Sequence, residues 1–355
     1  MNKNIGIQIN TPPHLQQKSS DGQRIVWLDV LRVVATIGVI LLHVGGTDFH
    51  LPVGEHDWYI AVVFDSLVRW SVPVFVMISG ALFLNPAKEI TIHITIKKYA
   101  ARLIKVYLFW YLTYLVINTA YTSLLQGFFN WDAISFVPQF HLWFLLMLAG
   151  VYLLIPILRK IAIEEKYLRY SLLLWSGYFT ISFLLVREVP QLSNLFMMNW
   201  IVGYAGYFLL GYYLSSVCLS KKKTAIVYIL GLLGAAITIG GSVVLSFHRG
   251  VDDEKFLFNI SPHVVLMSTA LFVLVKSNTE NFGVKVTRFV EYVRKDLFGI
   301  YLVHGLWLLV FNRSLFRDAF DHTFTLPLIT IVIFISSLYT TKLLRLIPPV
   351  RKFIE

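Results

Sequence analysis

Long apolar stretches separated by short polar segments make up the chain from about residue 25 onward. Most are long enough to cross a bilayer as a helix, which needs about 20 apolar residues. The stretches cover residues 25–44, 60–84, 103–125, 140–158, 168–187, 197–217, 224–247, 258–276, 297–312 and 324–344. This pattern predicts an all-α, polytopic integral membrane protein of about ten transmembrane helices, the ninth of them short.

Lysine and arginine are divided unevenly between the two sets of connecting segments. With the N-terminus inside, 24 of the 31 basic residues fall in cytoplasmic segments and 5 in the opposite loops. Positively charged loops stay on the cytoplasmic side, so both termini are expected in the cytoplasm and the protein in the cell membrane. The same asymmetry accounts for the net charge of +11. We therefore expect contacts with membrane lipids and no nucleic-acid partner.

The composition agrees with a single membrane domain. Hydrophobic residues make up 57% of the chain and charged residues 14%, against about 25% charged residues in soluble domains. Residues 1–24 are polar and are predicted to be a flexible cytoplasmic tail; 25–347 form the membrane domain and 348–355 a short cytoplasmic C-terminal tail. Cys218 is the only cysteine, which excludes intramolecular disulfides and metal sites built on cysteine.

Two polar residues, Arg32 and His43, interrupt the first apolar stretch. Eleven residues at about 100° each bring both side chains to one helix face, roughly 16 Å apart. An arginine inside a span costs about 2.5–3.5 kcal/mol on insertion scales, so it normally faces a polar cavity. The spacing favours one cavity running from Arg32 to His43. The alternative is that Arg32 extends to the cytoplasmic surface and His43 is an interfacial residue.

Two carboxylates precede arginines at helical spacing. Asp29 lies three residues before Arg32, and Asp65 lies four before Arg69, which predicts an ion pair in each case. Asp29 either orients the Arg32 guanidinium or neutralises it during insertion. The second pair is either structural, or it leaves Arg69 to contact a ligand.

Six motifs occur in order along the apolar stretches, and together they resemble the acyltransferase 3 family of membrane proteins. They are Trp27-Leu28-Asp29-Val30-Leu31-Arg32 followed by His43; Pro73-Val74-Phe75 followed by Ser79-Gly80; Lys97-Lys98 with Arg102 and Lys105; His141-Leu142-Trp143-Phe144 with Pro156; Gly211-Tyr212-Tyr213-Leu214; and Gly299-Ile300-Tyr301-Leu302-Val303-His304. The fourth and sixth are similar to those of enterobacterial common antigen O-acetyltransferase and related surface-polysaccharide acetyltransferases. Lys105 departs from the family pattern, in which arginine is commoner, and so does Tyr107, where proline often follows.

The resemblance implies an O-acyltransferase that moves an acyl group, usually acetyl, from cytosolic acyl-CoA to a glycan or lipid-linked sugar. His43 would be the general base, because its pKa lies near neutral pH. Arg32 would stabilise developing negative charge, with Asp29 holding it. Acetyl-CoA is the expected co-substrate, and no metal is expected.

The basic cluster at the start of the third span would hold the phosphates of the donor. Arg102 and Lys105 lie deeper and are the better candidates, joined by Lys98 and Arg69. Obedience to the positive-inside rule, or contact with anionic lipid, explains Lys97 and Lys98 equally well.

Three residues near the opposite membrane surface are candidates for acceptor binding: His141, Trp143 and His304. An aromatic belt explains Trp143 without function, and His304 could simply bond to Tyr301 or a neighbouring helix. A polytopic transporter of a glycan, lipid or small solute is the alternative function, although no repeated halves with broken helices occur in the sequence. A purely structural subunit would leave Asp29 and Arg32 without a role.

Overall fold

The computed structural model describes residues 25–46, 51–126, 141–185, 200–311 and 321–355. Within these ranges the chain is helical, and no strand occurs. The predicted flexible tail, residues 1–24, lies outside the described residues. The all-α prediction is therefore confirmed for the part of the chain that is described.

The helices follow the predicted apolar stretches closely. They are α1 (Val26–Gly46), α2 (His56–Val68), α3 (Ser71–Phe83), α4 (Ala101–Gln126), α5 (Trp143–Leu153), α6 (Ile155–Ile163), α7 (Glu165–Leu185), α8 (Trp200–Ser216), α9 (Lys221–Arg249), α10 (Pro262–Ser277), α11 (Val284–Val293), α12 (Leu297–Phe311), α13 (His322–Leu344) and α14 (Pro348–Arg351). A short turn, Ile92–Ile94, and a π-helical segment, Thr95–Ala100, lead into α4.

Six helical segments among the described residues are long and apolar enough to span a membrane, or up to seven if the bent pair α5–α6 counts as one. The α12 helix is apolar but shorter. The structure thus supports a multi-pass membrane protein. The count of ten spans and the cytoplasmic position of the termini stay predictions.

Local sequence explains where several helices begin, end or bend. The Ser220 side chain accepts a hydrogen bond from the backbone N–H of Lys223 and starts α9, while Gly250 ends it with a left-handed φ of 67°. Between α5 and α6 the chain bends by 55°. Pro156, which has no backbone N–H to donate, lies at this bend.

The α1 helix lies at the centre of the bundle and contacts α2, α3, α10, α11, α12 and α13. The α3 and α8 helices cross in close contact, and this crossing depends on two glycines. A Cβ atom on Gly80 would lie 1.8 Å from the carbonyl oxygen of Phe208, and one on Gly211 would lie 2.0 Å from that of Met77. Small residues let transmembrane backbones touch in this way.

Gly211→Ala should lower the thermal stability of the detergent-solubilised protein, because the new methyl group would overlap the Met77 backbone. Overpacking of this kind costs about 1–3 kcal/mol. Gly177→Ala is the matched control, since no atom lies within 4 Å of a Cβ built there and alanine favours a helix over glycine by about 1 kcal/mol. Thermal unfolding of both variants checks this; equal unfolding temperatures would contradict the close crossing.

Candidate active site

The first turns of α1 hold the predicted pair of Asp29 and Arg32. Asp29 is buried at 6% exposure, and Arg32 Nη1 donates a hydrogen bond to its Oδ1 over 2.7 Å. The predicted i,i+3 ion pair is confirmed. The Asp29 carboxylate therefore fixes the guanidinium of Arg32 at the wall of a cavity.

That cavity, which we call the Arg32 cavity, has a volume of about 460 Å³. Its volume falls within the range of about 300–1,000 Å³ that is usual for small-molecule sites. Its charged lining residues are Arg32, Arg102, Arg294, Lys295 and Glu355. Its other lining residues are Phe75, Ile78, Ser79, Leu82, Phe83, Tyr99, Leu103, Phe144, Leu148, Tyr152, Leu297, Phe298 and Tyr301.

The Arg32 cavity is electropositive. Glu355, the one carboxylate among the described residues that line it, already accepts hydrogen bonds from Arg345 and Arg351 at 2.8 Å each, and these bonds lower its pKa. Near the cavity, burial followed by the positive charge of Arg32 lowers the pKa of Lys88. The Nε atom of Arg294, another lining residue, is buried and has no hydrogen-bond partner among the described residues. The cavity wall thus offers the positive charge that an anion site requires.

The predicted basic cluster divides in the structure. All three residues are exposed, but Arg102 lines the Arg32 cavity whereas Lys98 and Lys105 do not form part of its wall. The Lys98 ammonium lies 5.9 Å from the ring centre of Tyr99 instead. Of the three, Arg102 is the side chain that a ligand in this cavity would meet.

A second, smaller cavity has a volume of about 130 Å³ and is lined by His43 from α1; we call it the His43 cavity. The predicted acceptor residues His141 and Trp143 line it too. The remaining lining residues are Val39, Leu42, Arg69, Val72, Phe75, Phe144, Asn259 and Tyr301. The structure thus brings together His43, His141 and Trp143, which lie far apart in the sequence.

Three histidine rings pack together beside this cavity. The His304 ring stacks on His43 with ring centres 5.4 Å apart and meets His141 edge-on at 4.7 Å. His304 is fully buried and its Nδ1 bonds to the Tyr301 carbonyl oxygen, so it supports the cavity from behind. Gly305 permits this packing, because a Cβ there would lie 2.5 Å from the His141 ring.

Arg69 lies in the His43 cavity and forms the predicted ion pair with Asp65, to which it donates through both Nε and Nη2. Asp65 has no exposed surface, and its Oδ1 is buried without a hydrogen-bond partner in the described part of the chain. The i,i+4 pair is confirmed. Its position places Arg69 beside His43, away from Arg102 with which the sequence grouped it.

Arg32 and His43 share a helix but line different cavities. The prediction of one continuous cavity from Arg32 to His43 is therefore wrong. The two cavities have three lining residues in common, Phe75, Phe144 and Tyr301, and these aromatic side chains form a shared wall.

A comparison of the chain with models of known protein families establishes the family to which it belongs. The model of an acyltransferase domain matches residues 25–344, which is most of the chain. The chain belongs to the acyltransferase 3 family. Comparisons of this acyltransferase 3 protein with curated proteins and with solved structures give no match. The family match and the apolar helices together identify the protein as a multi-pass membrane acyltransferase.

Sequence reasoning missed several residues of this acyltransferase 3 site. Arg294 and Lys295 directly precede the short ninth apolar stretch, a position that could have marked them as lining a site instead of only as topological charges. Asn259 carried no such signal. It lines the His43 cavity from the loop before α10, where its Nδ2 donates a hydrogen bond to the Tyr204 hydroxyl at 3.1 Å.

No group of three or more His, Cys, Asp or Glu side chains within the described ranges could hold a metal ion. At the start of α2, His56 pairs with Asp321 over 3.2 Å and Asp57 pairs with His322 over 3.0 Å. These pairs link α2 to α13. His50, which lies in the segment between α1 and α2, is outside the described residues.

Proposed function

We propose that this acyltransferase is an O-acetyltransferase of the cell membrane. It takes the acyl group from cytosolic acetyl-CoA and transfers it to a hydroxyl of a cell-surface or lipid-linked glycan. The observation that carries the proposal is a pair of adjoining cavities that differ in size and in the charge of their lining. A large electropositive cavity suits a polyphosphate donor, and a small histidine-lined cavity that shares a wall with it suits the reaction.

The donor would lie in the Arg32 cavity. CoA carries phosphate groups, and Arg102, Arg294 and Arg32 supply guanidinium groups that can bind phosphate oxygens with two parallel hydrogen bonds. The cavity lies at the end of the bundle that the distribution of lysine and arginine assigns to the cytoplasm. Cytosolic acyl-CoA can enter there.

The transfer would take place at His43. The acceptor hydroxyl oxygen bonds to the thioester carbonyl carbon, the C–S bond breaks, and the hydroxyl proton passes to His43 and from it to the departing CoA thiolate. A cation beside the carbonyl oxygen stabilises the negative charge that develops there. Arg69 shares the cavity with His43, so we assign this role to Arg69 and assign Arg32 to the donor.

The acceptor would enter the His43 cavity from the other side of the membrane. His141, Trp143 and Asn259 line this cavity and offer hydrogen bonds together with an aromatic face, which suits a sugar ring. Packing behind His43 and His141, His304 would hold the site instead of touching the sugar.

A transporter is the competing functional class, and the donor cavity distinguishes an acyltransferase from a transporter. Transport of a glycan or lipid needs no CoA site. An acyltransferase needs one, and the cluster of Arg32, Arg102 and Arg294 around the larger cavity supports it.

Purified protein in detergent should bind acetyl-CoA, and Arg102→Ala should weaken that binding about tenfold or more. A hydrogen bond to a charged group is worth about 1.5–3 kcal/mol, which corresponds to at least this factor. Isothermal titration with acetyl-CoA measures the affinity. Release of free CoA, followed with a thiol reagent, reports the chemical step.

Lys105→Ala is the matched control, because Lys105 lies one turn further along the same helix and is exposed like Arg102, but it lies outside the cavity wall. Its acetyl-CoA affinity should stay within about twofold, as expected for an exposed surface charge. Absence of both acetyl-CoA binding and CoA release in the unmodified protein would contradict the proposed function and favour a transporter.

A further inference from the structure

The two cavities meet at three aromatic side chains, Phe75 from α3, Phe144 from α5 and Tyr301 from α12. The ring centres of Phe75 and Phe144 lie 6.1 Å apart, and those of Phe144 and Tyr301 lie 5.7 Å apart. Phe144 is therefore the middle member. We call these three side chains the aromatic septum.

The members of the septum differ in how firmly they are held. Tyr301 is buried at 7% exposure, and its hydroxyl donates a hydrogen bond to the His141 carbonyl oxygen. Phe75 and Phe144 are half-buried and have no polar atom in the ring. Rotation of a phenylalanine side chain breaks no hydrogen bond, so Phe75 and Phe144 are the members that can move.

This inference rests on the proposed function, in which the thioester must pass from the Arg32 cavity to His43. The acyl group forms the tip of acyl-CoA, so it crosses the septum first. It then occupies the His43 cavity together with the acceptor hydroxyl. Both must fit in this smaller cavity, whose volume of about 130 Å³ is less than a third of the 460 Å³ of the Arg32 cavity.

We propose that the aromatic septum, with Phe144 at its centre, determines acyl-chain length and restricts this enzyme to short acyl groups such as acetyl. A longer chain would overfill the His43 cavity and press its remaining methylene groups against Phe144 and Phe75. Removal of the Phe144 ring would merge part of the two cavities and leave space for those methylene groups.

The test compares CoA release from acetyl-, butyryl- and hexanoyl-CoA by the full-length protein in detergent. The unmodified protein should favour acetyl-CoA over hexanoyl-CoA by at least about tenfold in kcat/KM, since one misplaced methylene is worth about 10–200-fold in a hydrophobic pocket. Phe144→Ala should reduce this ratio about tenfold or more.

Leu146→Ala is the matched control: it lies two residues along the same helix and is 43% exposed on its outer face. Its acyl-chain ratio should equal that of the unmodified protein. If Phe144→Ala fails to fold, Phe75→Leu keeps a side chain at the septum and should shift the ratio in the same direction.

An unchanged acyl-chain ratio in an active Phe144→Ala or Phe75→Leu variant would overturn the proposal. So would equal CoA release from hexanoyl- and acetyl-CoA by the unmodified protein. Either result leaves the acyltransferase assignment intact. Failure of the proposed function looks different, because no thioester would then bind or release CoA.

Discussion

His43→Ala is expected to lower the rate of acyl transfer by about 10²–10⁴-fold, the usual contribution of a positioned general base. His43 is the histidine that lines the smaller cavity from the central helix, and Arg69 lines the same cavity. Without the imidazole, the acceptor hydroxyl would keep its proton as it attacks the thioester. CoA release from acetyl-CoA, and acetylation of the acceptor where one is supplied, measure the loss.

The control for this variant is His248→Ala. His248 also lies in the last turn of a long apolar helix, but it is exposed and lines neither cavity. Its rate should equal that of the unmodified protein. Acetyl-CoA affinity should be unchanged in both variants, because His43 is absent from the wall of the Arg32 cavity. Full transfer by a well-inserted His43→Ala protein would remove His43 from the chemistry.

Arg69→Met is expected to destabilise the protein by about 3–5 kcal/mol, which is the usual effect of removing one partner of a buried ion pair. Asp65 has no exposed surface, and the described structure gives its Oδ2 the Arg69 guanidinium as partner while Oδ1 has none. Loss of Arg69 would leave a buried carboxylate without compensation. Thermal or denaturant unfolding in detergent measures the effect.

The double variant Asp65→Leu/Arg69→Met separates stability from chemistry. Replacing a buried ion pair by hydrophobic residues of similar size is often neutral or stabilising, so the double variant should unfold near the temperature of the unmodified protein. It should still fail to transfer the acyl group, because the cation beside His43 is gone. A stable double variant with full activity would show that the pair is purely structural.

Much of the fold could be predicted from the sequence because its signals are local. Apolar stretches long enough to cross a bilayer gave the positions of the helices within a few residues. Helical spacing gave both ion pairs, Asp29–Arg32 and Asp65–Arg69, since residues three or four apart are neighbours on a helix.

The separation of the two cavities could not be predicted, because it depends on tertiary packing. Periodicity along α1 shows that Arg32 and His43 share a face, but it says nothing about what lies against that face. Phe75 and Phe144 come from α3 and α5, and Tyr301 comes from α12, more than 150 residues further along the chain. The place where such side chains meet follows from how the helices cross, as does the entry of Asn259 into the His43 cavity.

The basic cluster illustrates the same limit at one helix. Lys98, Arg102 and Lys105 follow one another at spacings of four and three residues, so they lie on one helix face and helix rotation does not separate them. Which of the three reaches the cavity depends on where the neighbouring helices lie along that face, and Arg102 is the one that lines its wall. Arg294 and Lys295 reach the same cavity from a distant segment for the same reason.

The aromatic septum also has an electrical consequence. With water in both cavities, most of the membrane voltage would fall across this thin apolar layer, and moving one elementary charge through it would involve about 2.3 kcal/mol per 100 mV. The pantetheine arm and the thioester are uncharged, whereas the phosphates of CoA would stay with the arginines of the Arg32 cavity. Passage of the acyl group would therefore be independent of the membrane potential, and the rings would insulate the bilayer against leakage of protons and ions.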